Sequence, residues 1–99
     1  MLLLFPEERL PNIWMKNMLI HLDLVFLDNS GRVVDVTENV APCAADPCPH
    51  YIPRHPARTV LEIAAGVAAR HGLQEGDFIE FHGVSGYPAR PSLPDAESD

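Results

Sequence analysis

Along the chain the hydrophobic positions fall in short runs broken by polar, proline or glycine residues, and each run reads as a strand. Leu2, Leu3, Leu4 and Phe5 form the first, closed by Pro6-Glu7-Glu8, and residues 1–5 are expected to be a buried strand. Residues 7–11 read as a polar connection bounded by proline. Over residues 13–18 alternation sets Ile13, Met15 and Asn17 on one side and Trp14, Lys16 and Met18 on the other. Residues 22–27 are the clearest strand. Leu22, Leu24 and Phe26 share one face, and Val25 and Leu27 make the opposite face apolar as well. Both faces are therefore expected to be covered, as in a barrel or sandwich core. Asp28-Asn29-Ser30-Gly31 is a turn, and residues 32–38 return as a β-branched strand with Val34 and Val36 aligned. The two strands predict an antiparallel hairpin.

Pro42, Pro47, Pro49, Pro53 and Pro56 fall within residues 41–57. Proline removes the donor that a ladder needs, so this stretch is a loop, and one long enough to be functional or mobile. Residues 59–63 return to strand. Residues 66–71 leave room for one short helix, closed by Gly72 just past its end. After the turn at residues 74–77, residues 78–81 are expected to be the last strand. About five strands and one short helix follow, a mostly β (α+β) fold: a small antiparallel barrel or sandwich. Residues 1–84 read as a single domain. Residues 85–99, polar and proline-rich, read as a disordered tail.

Composition narrows the partners. Hydrophobic residues make up 46% of the 99, and charged residues 21%, which fits a folded domain rather than a disordered chain. No apolar run approaches the ~18 residues of a transmembrane helix. The net charge of −7 disfavours nucleic acid, because an acidic surface repels phosphate. The start of the chain lacks a basic region and a long apolar core, so no secretory signal is read in it.

Two constellations carry candidate chemistry. Cys43, Cys48, His50 and His55 supply two thiols and two imidazoles, a donor set that suits zinc. The spacing is unlike usual zinc sites, because all four lie on one proline-broken loop. A Cys43–Cys48 disulfide and a pair of reduced thiols are the rival readings. Trp14, Lys16, Asn17, His21 and Asp23 combine an aromatic plate, a cation, an amide and a carboxylate within ten residues. Trp14 can stack a ligand and Lys16 can hold an anionic group. The plainer reading is a core tryptophan beside a snorkelling lysine. Asp23 interrupts an apolar strand. If buried it needs a partner, for which Lys16, His21 and Arg58 are the candidates; otherwise it faces water at an edge. Glu38 and Asn39 at one end of the proline loop, with Arg54 and Arg58 at the other, form either a salt-bridged anchor or a polar cleft. No nucleophile elbow, phosphate loop, dinucleotide fingerprint or His-Glu-x-x-His motif is present.

Trp14-Met15-Lys16-Asn17, followed by Leu22-Asp23 and Asp28-x-x-Gly31, resembles the core motif of the domain of unknown function 192 family. Glu38-Asn39-Val40, the Pro42-Cys43…Asp46-Pro47-Cys48-Pro49 loop, Val60-Leu61-Glu62-Ile63, and Gly66…Gly72-Leu73 with Gly76-Asp77 extend the match. The resemblance implies a compact, mostly β fold in a bacterial and archaeal family without an established activity, many of whose members look exported. It makes a periplasmic or secreted location the expectation, with the cytoplasm as alternative. It also implies a further N-terminal strand that precedes Met1 in family members and would be missing here.

These readings favour a non-enzymatic accessory domain that binds a small molecule or a protein and needs no cofactor. Its candidate ligand-binding residues are Trp14, Lys16, Asn17, Asp23, Glu38 and Arg58. A small metal-dependent or hydrolytic enzyme built on the Cys/His loop is the alternative, and a purely structural domain is the third.

Overall fold

The computed structural model describes residues 1–81. Six strands and one helix follow in order: β1 (Leu2–Arg9), β2 (Ile13–Trp14), β3 (Leu22–Leu27), β4 (Val33–Val40), β5 (His50–Tyr51), β6 (Ala57–Ala64) and α1 (Val67–Arg70). Four strands make an antiparallel sheet in the order β1-β6-β3-β4, and β2 pairs with β5 in a separate ribbon. The result is sandwich-like, without barrel closure.

β3 takes an interior place because its sequence is apolar on both sides, and all six of its residues are buried. On one face Leu22, Leu24 and Phe26 meet Ile13 and Met15 from the ribbon segment, with Tyr51 packed at the margin. On the other, Val25 and Leu27 lie with Val33 under Leu73, Ile79 and Phe81. The β3–β4 hairpin is turned by Asp28, whose Oδ1 accepts from the Ser30 amide at 2.9 Å, the Ser30 hydroxyl at 2.8 Å and the Arg32 amide at 3.0 Å. Gly31 supplies the positive φ of 87° that this turn requires.

Several elements differ from the expectation. β1 continues to Arg9 through residues expected to form a connection, and it lies at the sheet edge, so it is half-exposed rather than buried. Pro6 falls inside its register break between Leu4 and Arg9, where no ladder donor is demanded. The strand expected over residues 13–18 shortens to Ile13–Trp14. The chain turns away at Asn17, with φ of 67°, and the Met18 amide donates back to the Met15 carbonyl at 3.1 Å. That turn folds Met18 onto the core instead of leaving it beside Trp14. The proline loop is not wholly irregular, because it contains β5. Residues 78–81 form no strand. Phe78 makes a bridge to Arg32, and the approach to the segment is tied to the start of β4 by Val33 N–H to Asp77 O at 2.7 Å, Gly76 N–H to Val33 O at 2.8 Å and Ile79 N–H to Gly31 O at 2.9 Å. Its apolar residues still cover the second face of the sheet. The tail expected over residues 85–99 lies outside the described residues. Among those described, no helix is long and apolar enough to cross a membrane.

Candidate ligand-binding face

The ribbon pairs Ile13 with Tyr51 and Trp14 with His50. Strand alternation then decides which side chains face water. Ile13, Met15 and Tyr51 turn inward to the first core, so Trp14, Lys16 and His50 turn outward. Trp14 is accordingly not a core tryptophan: it is 49% exposed. The Lys16 Nζ stands 5.5 Å from the centre of its ring, within cation–π reach. The His50 ring lies 5.7 Å away, tilted by 33°. His50 Nδ1 is 2.8 Å from Asn12 Oδ1, a contact in which the imidazole N–H donates to the amide oxygen.

The disulfide loop frames this face. Cys43 and Cys48 are bonded, with Cα atoms 5.8 Å apart. The Asn17 amide donates to the Cys43 carbonyl and the Cys43 amide to the Met15 carbonyl, each at 3.2 Å. Asp46, within the loop, takes the Lys16 ammonium at 2.8 Å. With both sulfurs in the bridge, no thiolate remains for zinc. The imidazoles are also engaged apart, His50 at Asn12 and His55 Nε2 at 3.8 Å from a Glu75 oxygen. Among the described residues no group of three or more His, Cys, Asp or Glu is placed to hold a metal.

Asp23 is fully buried, not at a water-facing edge. Its partners are none of the three side chains expected. Oδ1 accepts from the Asn39 amide at 2.8 Å, and Oδ2 from the Gly66 and Ala68 amides at 3.0 Å each. The carboxylate thereby satisfies the open N–H groups at the start of α1 from a neighbouring strand. Asn39, at φ of 54°, brings its Oδ1 to 3.1 Å from His21 Nδ1, and Glu38 is exposed beside it. Arg58 serves another region: its Nε donates to the Phe5 carbonyl at 3.0 Å and its Nη1 to Asn29 Oδ1 at 2.9 Å. The anchor at the far end of the proline loop is Arg54, which pairs with Asp35 at 3.1 Å and Glu75 at 3.0 Å. The Asp35 hydrogen bond, then the charges of Asp35 and Glu75, raise the pKa of its guanidinium.

Of the six candidate residues, the fold brings Trp14, Lys16 and Asn17 together with the disulfide loop. It places Asp23 and Glu38 at the β3–β4 end near α1, and Arg58 beside the hairpin turn. The sequence pattern does not single out Asn12 or Asp46, and it offers His50 only as a zinc donor. The alternation Asn12-x-Trp14-x-Lys16 is the one hint of Asn12; nothing local carries one for Asp46.

The DUF192 family model, described as "Uncharacterized ACR", matches residues 1–81. A solved structure from Sinorhizobium meliloti 1021, of a protein provisionally described as a transcription regulator, superposes with a TM-score of 0.73 at 34% identity. That match covers 80% of this chain and 59% of the other. A protein of unknown function from Novosphingobium aromaticivorans DSM 12444 superposes with a TM-score of 0.73 at 31% identity, covering 81% of this chain and 55% of the other. The chain thus spans less than two thirds of the length of either solved relative. A search of the curated proteins finds no match.

Proposed function

The chain belongs to the DUF192 family, and from that premise we propose that it is a non-enzymatic binding domain whose recognition face is the outer side of the β2–β5 ribbon. The observation that carries this reading is the half-exposed Trp14 ring with Lys16 and His50 as neighbours. A large aromatic plate left in water forgoes the burial it would gain in a core, and it recovers that gain when a flat apolar ligand covers it. Lys16 keeps donors beyond the one it gives Asp46, so the ligand class is a planar or ring-shaped molecule bearing an anionic group. Asn17 and the disulfide loop position the lysine.

The supporting chemistry is that of binding rather than turnover. Both cysteines are in the disulfide, and the buried carboxylate of Asp23 is occupied by three backbone amides. A disulfide suits an oxidising compartment, which favours a periplasmic or secreted setting. The net charge of −7 speaks against a direct nucleic-acid partner, whatever the role of the Sinorhizobium relative.

Trp14 is the single tryptophan of the chain, so its fluorescence reads this face directly. A thermal-shift screen of aromatic carboxylates and sugar acids supplies the probes, since native-state binders raise apparent stability. Titration followed at Trp14 is expected to saturate, with affinity reduced about tenfold or more in Lys16→Ala; in Trp14→Ala, which lacks the fluorophore, affinity is read from the concentration dependence of the thermal shift and should fall by a similar factor, the scale of one lost charged or stacking contact. Hits whose affinity is the same in both variants would place the site elsewhere.

A further inference from the structure

We infer that the Cys43–Cys48 disulfide is a redox latch on the Trp14 face: a dithiol reductant opens it, residues 44–48 and β5 leave β2, and the face comes apart while the four-stranded sheet stays folded. This rests on the binding face proposed above and adds its regulation.

The latch follows from how short the ribbon is: besides its two register pairs, β5 is held by the His50–Asn12 contact and by Tyr51 at the margin of the first core. β2 and β5 have two residues each and share two register pairs. A ribbon of that size has no stability of its own. Its register is set by the chain on either side of the bridge. Cys43 is stitched to the β2 side, giving its carbonyl to Asn17 and its amide to the Met15 carbonyl. Cys48 lies just ahead of His50, the first residue of β5. The bridge therefore ties the β2 anchor to the beginning of β5. Asp46 sits inside the closed loop, so the same bridge holds the carboxylate at the Lys16 ammonium. Opening it releases His50 and Asp46, the two groups from the loop that frame Trp14 and Lys16.

The sheet shares little with this device: of the two residues of β5, only Tyr51 packs on its first core, at the margin. β1, β6, β3 and β4 contain no residue of the loop, and the cluster around Val25, Leu27 and Val33 draws none from it. Ile13 and Met15 precede the loop and stay on the first core.

The chemistry balances as thiol–disulfide exchange. One thiolate of the dithiol attacks the Cys43 sulfur, because Cys43 is half-buried while Cys48 is only 7% exposed. The Cys43–Cys48 bond breaks, and Cys48 departs as a thiolate and takes a proton. The second thiol of the reductant attacks the mixed disulfide and releases Cys43. Two electrons pass to the protein, and the reductant leaves as its own disulfide.

The test compares the whole chain before and after dithiothreitol, with opening of the bridge read by alkylation of both thiols. Reduction is expected to make Trp14 more accessible to acrylamide and to shift the amide signals of residues 43–51. The signals of β3 and β6 should hold, and reoxidation should restore the starting state. Cys43→Ser/Cys48→Ser should match the reduced state without reductant; if that variant fails to fold, reversible reduction of the parent decides. A Trp14 environment identical in both redox states overturns the latch. Loss of the whole fold on reduction overturns it too, as does a bridge that stays closed in the native protein. Any ligand found by the screen should bind the reduced form about tenfold more weakly, as when the competent fraction falls to about a tenth. If nothing binds either form, the binding face fails while the redox change at Trp14 still stands.

Discussion

Asp23 shows how one residue can join three elements. It sits in β3, yet its oxygens are taken by the amide of Asn39 at the end of β4 and those of Gly66 and Ala68 at the start of α1. A four-residue helix has little intrinsic stability, so its open N–H groups need an acceptor supplied from outside. Both oxygens must be acceptors. In Asp23→Asn one becomes an NH2 group that faces an N–H donor, whichever way the amide is turned. The expected cost is about 1–3 kcal/mol, the range for buried donors left without partners, read from the urea midpoint. A variant as stable as the parent would show that these amides find other acceptors. From the sequence it was legible that a buried Asp23 must be paired. The partners were not, because backbone N–H groups at positions 39, 66 and 68 have no signature in side-chain identity.

At the scale of elements, apolar pattern and turn chemistry located β3, β4, β6 and α1, and where the pattern was short the outcome depended on neighbours. Gly72 marks the end of α1. It has φ of 62°, its amide donates to the Ala69 carbonyl at 3.1 Å, and the Leu73 amide reaches the Ala68 carbonyl at 2.9 Å. This is the reciprocal pair of bonds with which helices close on glycine. A Cβ at Gly72 would meet nothing within 4 Å, so Gly72→Ala carries only the left-handed backbone penalty, about 1–2 kcal/mol. Thermal denaturation should show that loss, with ligand response at Trp14 unchanged because α1 lies outside the ribbon. The apolar residues of 78–81 are as strand-like as those of β4. They form no ladder: the Phe78 bridge and the Ile79 amide meet the chain at Arg32 and Gly31, beside the hairpin turn and ahead of β4.

For the whole molecule, Glu62 sets a pH dependence. It is buried on β6 opposite Leu24, and its backbone amide donates to the Met1 carbonyl at 2.7 Å. Burial raises its pKa above the ordinary 4.5, and the nearby N-terminal ammonium opposes that rise. The folded chain therefore holds this proton more tightly than the unfolded chain. Its contribution to stability is full below the ordinary value, declines as pH rises to the raised value, and is absent above it. Glu62→Gln cannot ionise, so it should flatten that decline and make the variant more stable than the parent at neutral pH. Denaturation at pH 4 and pH 7 checks this; a parent and variant with the same change in stability between the two would remove Glu62 as its source.

By itself the sequence determined the class of fold and the strand at its centre. A run apolar on both faces, as in residues 22–27, can only be stable when covered on both sides, and a proline-dense stretch cannot enter a sheet interior. It also limited the cysteines to three fates and marked Trp14 and Lys16 as candidates. Only the tertiary structure decided among those fates and turned Trp14 outward. Both outcomes depend on contacts between distant segments: the pairing of β2 with β5 sets which alternate residues meet the core, and the fold of loop 43–48 sets how near the sulfurs come. Local pattern records which side chains share a face. It does not record which of the two faces another part of the chain will cover.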